Sequence, residues 1–145
     1  MIVLLFNIII VLLHELMINL YNQSKRFLNI TMVLVKYIFE DSKITAQEVV
    51  GMVGDNILEL AEDNGMHINS NCGMVCACST CHVYIEDGED FLTEISDKEE
   101  DFIDRAINPR IESRLSCQCN IEEDDEGKCI EVLVPDQSQI IGHEH

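Results

Sequence analysis

The feature that most constrains this chain is the crowding of its cysteines. Four of the seven cysteines fall between Cys72 and Cys81, and two more stand close together at Cys117 and Cys119. A secreted disulfide scaffold normally carries an even and dispersed set of cysteines. The odd, clustered set therefore favours metal ligation in a reducing compartment, with disulfide formation as the lesser alternative.

The spacing of four cysteines predicts a [2Fe–2S] cluster. Cys72, Cys78 and Cys81 form a C-x5-C-x2-C pattern, and Cys117 follows much later in the chain. Four thiolates satisfy the two irons of such a cluster. Loop N–H groups can hydrogen-bond to the sulfurs, and Gly73 permits unusual backbone dihedrals. Small residues let the backbone approach the bridging sulfides: Asn71, Gly73, Ala77, Ser79 and Thr80.

A structural zinc site is the alternative from a different class, because zinc also binds four cysteines. Zinc ligands commonly occur as two C-x2-C pairs, and only Cys78 and Cys81 have that spacing. The second pair would be Cys117 and Cys119. Cys119 has the strand parity of Cys117, so it is also a rival for the fourth position at an iron–sulfur cluster.

The other cysteines and one histidine are interpreted as neighbours of the site or as packing residues. Cys76, Cys119 and Cys129 are expected to be small packed hydrophobic residues. His82 directly follows the third cysteine, but a histidine-ligated cluster needs two histidines. We expect His82 to be a hydrogen-bonding neighbour of the cluster, together with Gly73, Cys76 and Ala77.

The periodicity of the chain from Met32 onward predicts an α+β fold. A first helix should be capped by Asp55 or Asn56 and end near Gly65, and a second should begin at Ser96, with Glu99 completing a capping box. One principal helix crossing a mixed sheet suggests a grasp-like fold. Strands are predicted at residues 33–39, 47–53, 82–86, 116–121 and 129–134, with a further short strand beginning at His67.

The charge of the chain argues against nucleic acid and anionic membranes as partners. There are 27 acidic and 9 basic residues, for a net charge of −18. Such a chain attracts basic protein surfaces and repels phosphate backbones. No Lys or Arg occurs between Lys43 and Lys98, so one long stretch of the chain is uniformly negative.

The second predicted helix carries a candidate docking surface. Helical periodicity places four carboxylates opposite an apolar side made by Phe102, Ile103, Ala106 and Ile107. An ordinary solvated face is the simpler interpretation, although helix capping does not explain an acid as late as Asp104. The four carboxylates are Asp97, Glu100, Asp101 and Asp104.

Residues 1–31 differ from the rest because they are apolar almost without interruption as far as Leu13, before His14 and Glu15. Neither a signal peptide nor an Arg-rich transit peptide fits this stretch. We favour an over-extended start with true initiation at Met32; a signal anchor and an unstructured tail are the alternatives. The predicted domains are an amino-terminal extension (residues 1–31), the cluster domain (residues 32–135) and a loosely ordered tail (residues 136–145).

The stretch CGMVCACSTCHVYIEDG, followed by ESRLSCQ, resembles adrenodoxin-like (vertebrate-type) ferredoxins, especially the bacterial ones of iron–sulfur cluster assembly. The resemblance covers about Met32 to Pro135 and implies a β-grasp (ubiquitin-like) fold of the [2Fe–2S] ferredoxin type. It implies that Cys72 and Cys78 bind one iron while Cys81 and Cys117 bind the other. Cys117 is favoured over Cys119 because it occupies the place of the ligand in the RLSCQ element.

The resemblance also implies a function. It suggests a one-electron carrier, not an enzyme, that receives electrons from a flavoprotein ferredoxin reductase and donates them to a cysteine desulfurase and its scaffold. Asp97, Asp101 and Asp104 match the docking positions of the family, while Lys98 departs from the more acidic pattern. The alternative functions are donation to a cytochrome P450-type monooxygenase and a zinc-stabilised acidic interaction module. We expect a cytoplasmic bacterial monomer, associated with a membrane only if residues 1–31 are retained as an anchor.

Overall fold

The computed structural model describes residues 12–17, 32–123 and 129–140. The chain divides into two compact units, Met1–Ile30 and Thr31–His145. In the first unit, residues 12–17 are helical and exposed, and the rest of the predicted extension lies outside the described residues. Among the residues described, no helix combines the length and apolar character needed to cross a membrane.

The described part of the second unit contains one mixed sheet. The strands are β1 (Met32–Phe39), β2 (Gln47–Met52), β3 (His82–Asp87), β4 (Ser113–Leu115) and β5 (Cys129–Val134). Their order in the sheet is β2-β1-β5-β3-β4; β1 and β5 run parallel, and every other neighbouring pair is antiparallel. The strands predicted at 33–39 and 47–53 are confirmed, and they pair as a hairpin.

The first helix, α1 (Ile57–Asp63), packs its apolar side into the core of the unit. Asn56 is its N-cap, since the side-chain oxygen accepts hydrogen bonds from the N–H groups of Leu58 and Glu59. The buried Tyr37 hydroxyl of β1 donates to the Ile57 carbonyl at 2.7 Å, which joins the helix to the sheet. The core side chains of α1, β1 and β5 are Ile57, Leu58, Leu60, Ala61, Val33, Val35, Tyr37, Ile130, Val132 and Val134.

The second helix, α2 (Asp97–Ile103), begins as predicted but is short. The Ser96 hydroxyl accepts a hydrogen bond from the Glu99 N–H at 3.2 Å, which caps the helix. Ile103 is buried and ends the helix, so Ala106 and Ile107 lie in the turn that follows. The predicted α+β grasp fold, with one principal helix and a second acidic one, is confirmed.

The strand predicted at 116–121 is wrong. The last three residues before Ser116 form β4 instead, and a 3₁₀ turn, Ser116–Gln118, follows at once. Asn120 and Ile121 make only isolated bridges, to Asn56 and Leu92. The Cys119 N–H bonds to the Ser116 carbonyl at 3.2 Å, and this local bond replaces the pairing that an extended strand would make.

Two further sequence predictions differ from the structure. No strand forms at His67 in the described fold; the apolar Ile68 is instead a buried core residue. Part of the predicted loose tail forms a 3₁₀ turn, Gln137–Gln139. The Gln137 side-chain oxygen accepts from the Asn69 N–H at 2.8 Å, so this turn is tied to the segment that enters the cysteine loop.

Gly88 marks the point at which the chain leaves β3. The register against β5 shifts between Ile85 and Asp87, as at a β-bulge, and Gly88 follows with a φ of +81°. A Cβ at this position would lie 2.9 Å from the Cys129 carbonyl oxygen and 2.9 Å from the Ile130 Cα. Both the left-handed conformation and the space therefore require glycine.

We predict that Gly88→Ala lowers the free energy of unfolding by at least about 2 kcal/mol, because it adds overpacking to left-handed strain. Gly65→Ala is the matched control: Gly65 has a φ of +77°, but a Cβ there would have no heavy atom within 4 Å. It should cost only about 1 kcal/mol. Denaturant unfolding followed by far-UV circular dichroism measures both, and equal losses would contradict the backbone clash.

Candidate metal centre

The loop between α1 and β3 holds three of the four predicted ligands. Cys72 and Cys78 are half-buried, while Cys81 is fully buried immediately before β3. The backbone is left-handed at Gly73, Met74 and Cys76, with φ values of 67°, 69° and 52°. These turns curl the loop tightly, which sequence reasoning anticipated only at Gly73.

The fourth predicted ligand is brought to the loop by the pairing of β3 with β4. His82 lies opposite Leu115 in this antiparallel ladder. Just beyond it, the Ser116 N–H and hydroxyl both donate to the Cys81 carbonyl, at 3.0 and 2.8 Å. The next residue, Cys117, is buried with its Sγ 3.3 Å from the Cys81 Sγ.

The thiols fall into two pairs. Cys81 and Cys117 make one, with their Sγ atoms 3.3 Å apart. Cys72 and Cys78 make the other, since the Cys78 side chain lies near enough to lower the pKa of Cys72. Across the described residues, no group of three His, Cys, Asp or Glu side chains could hold a single metal ion. Two protein ligands on each of two irons is the pattern of a [2Fe–2S] cluster, and two thiol pairs match it.

Hydrogen-bond donors surround the sulfurs. The Gln118 side-chain amide donates to the Cys117 sulfur at 3.2 Å, and the Cys76 N–H also lowers the pKa of that thiol. The N–H groups of Val75 and Ala77 act in the same way on the Cys72 thiol. These donors stabilise negative charge on sulfur.

A further contact fixes Cys78. The Thr80 Oγ1 lies 3.0 Å from the Cys78 Sγ and accepts from the Asn71 N–H at 3.0 Å. This hydroxyl therefore ties the two ends of the loop together beside the sulfur.

The thiol pKa values reflect these contacts. The hydrogen bond from Cys81 lowers the pKa of Cys117, with help from Gln118 and the Cys76 N–H against the effect of burial. Because Cys81 donates that bond and is buried, its pKa is raised. Burial also opposes ionisation of Cys72, but its hydrogen bonds from Ala77, Cys78 and Val75 together lower its pKa.

The remaining cysteines lie outside these pairs. Cys119 is fully buried and donates to the Leu115 carbonyl at 3.3 Å, and burial raises its pKa. The expectation that Cys119 shares the direction of Cys117 is wrong, because the 3₁₀ turn breaks the strand alternation. Cys76 is buried in the loop, and Cys129 is half-buried at the start of β5.

His82 braces the two strands that carry the site. It is buried, its Nε2 lies 2.8 Å from the Ser113 Oγ of β4, and its ring meets Tyr84 edge-on at 4.7 Å. Burial lowers the pKa of His82 to about 4, and the positive charge of Arg110 adds to the effect. The imidazole is therefore neutral near pH 7.

Comparison with known proteins agrees with this geometry. Residues 39–122 match the family described as the 2Fe-2S iron-sulfur cluster binding domain. The 2Fe-2S ferredoxin of Haemophilus influenzae is 49% identical over 72 residues, which is 50% of this chain and 64% of that protein. Adrenodoxin-like protein 1, mitochondrial, of Drosophila melanogaster is 38% identical over 99 residues, 68% of this chain and 56% of that protein.

Solved structures are similar as well. The ISC-like [2Fe-2S] ferredoxin FdxB of Pseudomonas putida has a TM-score of 0.64 at 34% identity, covering 71% of this chain and 92% of that one. A covalent complex of putidaredoxin reductase and putidaredoxin has a TM-score of 0.60 at 31% identity, covering 71% and 98%.

The chain belongs to the adrenodoxin-like [2Fe–2S] ferredoxins.

A [2Fe–2S] cluster is therefore the cofactor of this ferredoxin, and the β-grasp fold is confirmed. The residues present fit the cluster: the loop and the 3₁₀ turn bring four thiols together, and the Gln118 side-chain N–H donates to the sulfur of one of them. The matched segments span just under two thirds of the H. influenzae protein and just over half of the D. melanogaster one.

Sequence reasoning missed a buried ion pair that supports the site. Glu99 of α2 and Arg114 of β4 are each 1% exposed. The guanidinium donates to both carboxylate oxygens, at 2.9 and 3.2 Å. Glu99 also accepts from the Leu115 N–H at 2.9 Å. The predicted capping box is thus only half formed, because the Glu99 carboxylate points into the core; its place among apolar helix positions was the available signal.

The four predicted docking carboxylates are all exposed. Asp97, Glu100 and Asp101 project from α2, and Asp104 follows its last residue. Glu99, the one buried acid of this segment, is directed at Arg114 instead. The helix therefore separates one structural carboxylate from four that are available at the surface.

We predict that Glu99→Gln lowers the free energy of unfolding by about 3 kcal/mol, because it leaves the buried Arg114 charge with only the half-exposed Glu89 carboxylate, 3.6 Å away, as a counter-ion. Glu100→Gln is the matched control on the exposed side of the same helix and should stay within about 0.5 kcal/mol of the wild type. Denaturant midpoints of the two variants provide the comparison. Indistinguishable midpoints would mean that the ion pair does not stabilise the fold.

Proposed function

We propose that this ferredoxin is a one-electron carrier, not an enzyme, whose cluster is held by Cys72, Cys78, Cys81 and Cys117. The observation that carries the proposal is the 3.3 Å approach of Cys117 to Cys81 across the β3–β4 pairing. When bound, the cluster supplies reversible one-electron chemistry. The two thiol contacts support one iron on Cys72 and Cys78 and the other on Cys81 and Cys117.

The polypeptide has two tasks in this proposal. Its buried side, formed by Cys81 and Cys117, keeps water away from half of the site, while the half-buried Cys72 and Cys78 leave the other half close to the surface. The Gln118 amide donates to the sulfur of Cys117 at 3.2 Å, and both this amide and the Cys76 N–H stabilise negative charge on that sulfur. Such bonds to sulfur are among the features that set the reduction potential.

The ligand set predicts opposite results at two cysteines that lie two positions apart. Cys117→Ala should abolish the visible colour and bring the iron content close to zero, because one iron loses a ligand. Cys119→Ala should retain both, since its thiol contacts a backbone carbonyl in the core. Iron analysis and visible absorption of the two purified variants are the measurements. A coloured Cys117→Ala protein would refute the assignment.

The partner that fits this surface is a basic flavoprotein reductase. The net charge of −18 and the exposed acids on and after α2 favour a basic surface over distance. The likeness to putidaredoxin in its covalent complex with putidaredoxin reductase supports a reductase as the donor. The likeness to an ISC-like ferredoxin supports the cysteine desulfurase and scaffold of cluster assembly as acceptors, and we place this exchange in the bacterial cytoplasm.

The docking surface is tested by reversing two of its charges. Asp101→Lys/Asp104→Lys should slow reductase-driven reduction about tenfold at low ionic strength, because the steering field weakens. Added salt should reduce the difference in reduction rate between the double variant and the wild type. The rate of cluster reduction is followed by visible absorption with a purified ferredoxin reductase of an ISC-type bacterium.

The matched control for that experiment is Glu62→Lys/Asp63→Lys. These exposed acids lie at the end of α1, and their reversal changes the net charge by the same amount. If both double variants slow reduction equally, net charge and not α2 governs the encounter. If neither is slower, docking does not use these acids.

A further inference from the structure

Lys98 stands out because it is the one basic side chain of the acidic helix α2. Its Nζ donates to the Val75 carbonyl at 3.2 Å, so it reaches the cysteine loop. Among the described residues, no carboxylate forms a salt bridge with it, whereas Lys36 pairs with Glu131 and Arg114 with Glu99. The Lys98 ammonium is therefore hydrogen-bonded to the loop and is not within salt-bridge distance of a described carboxylate.

The carbonyl that Lys98 contacts belongs to the peptide group that joins Val75 to Cys76. The C=O of Val75 and the N–H of Cys76 are the two ends of this peptide group. At one end the oxygen accepts from Lys98 at 3.2 Å, and at the other the N–H favours the ionised form of the Cys117 thiol, whose pKa it lowers. Linked hydrogen bonds polarise one another, so a cation at the oxygen strengthens the donor at the nitrogen.

The loop geometry keeps this peptide in place. Met74 and Cys76, on either side of Val75, both have left-handed backbones, with φ values of 69° and 52°. Gln118 donates to the Met74 carbonyl at 3.2 Å as well as to the Cys117 sulfur. The Val75–Cys76 peptide is thus held between Lys98 on one side and the fourth proposed ligand on the other.

We propose that Lys98 is a positioning residue that favours the reduced cluster, acting through the Val75–Cys76 peptide on the sulfur of Cys117. Reduction adds a negative charge to a site that already lies in a strongly acidic protein. The Lys98 ammonium opposes that penalty directly, and the strengthened N–H bond opposes it at the ligand sulfur. The inference rests on the proposed ligand set, of which Cys117 is a member.

The test is the midpoint potential of the holoprotein, measured by spectroelectrochemical titration in the visible range. Lys98→Met removes the charge and the donor, and should reduce the equilibrium constant for reduction about two- to tenfold, where tenfold corresponds to 59 mV for one electron. Lys98→Arg keeps both the charge and the donor, so its midpoint potential should remain close to that of the wild type. Lys98→Gln keeps a donor without the charge, so its midpoint potential should lie between those of Lys98→Met and the wild type.

Lys43→Met is the matched control, since it makes the same change of net charge from the exposed turn between β1 and β2. The shift in midpoint potential of Lys43→Met should be less than about a third of that of Lys98→Met, because solvent and salt screen the effect of an exposed, distant charge. An equal shift, or a fully loaded Lys98→Met protein with the wild-type potential, would overturn the proposal. So would loss of the cluster from both Lys98→Met and Lys98→Gln, which would show a structural role only.

Failure of the Lys98 proposal can be distinguished from failure of the proposed ligand set. A wrong ligand set appears as colour retained by Cys117→Ala, whatever the potential of the Lys98 variants. A wrong role for Lys98 appears as an unchanged potential in a protein whose Cys117→Ala form has lost its colour.

Discussion

The site depends on the short pairing of β3 with β4, and above all on the two hydrogen bonds that Ser116 donates to the Cys81 carbonyl. Bringing together cysteines that lie far apart in the chain has a loop-closure cost that local structure does not offset. The fully buried Ser116 and the Glu99–Arg114 ion pair hold the end of β4 in place. The tight loop alone would present three thiols, and this pairing supplies the fourth.

Local chemistry made part of this structure predictable. The caps at Asn56 and Ser96 are visible in sequence because their side chains bond to N–H groups only two or three residues away. Alternation along β1 is equally local. The prediction of a strand at 116–121 was wrong although the alternation of buried side chains is real. The Cys119 N–H and thiol bond back to the carbonyls of Ser116 and Leu115, so the chain turns here. Periodicity indicates which side chains are buried, and a 3₁₀ turn can bury the same side chains as a strand.

The site was predictable to a similar extent and for similar reasons. Cysteine spacing gave the candidate ligands, because ligand type and loop length are properties of the sequence itself. The partner of Glu99 was not predictable: its place on the apolar side indicates burial, but Arg114 meets it only through tertiary packing. The Lys98 contact with Val75 is tertiary in the same sense. What the sequence lacks is the set of contacts between segments.

Two adjacent residues of α2 connect this helix to both arms of the site. Glu99 holds the strand that leads into Cys117, while Lys98 holds the loop that contains Cys72 and Cys78. Successive side chains of a helix project about 100° apart, so one turn can reach two segments while its carboxylates remain at the surface. A partner bound to those carboxylates would contact a helix that is hydrogen-bonded to both segments that carry the proposed ligands. Under the proposed function, such attachment would limit the movement of the sulfurs on reduction, and it ties the helix that carries the exposed acids to the loop and strand that carry the thiols.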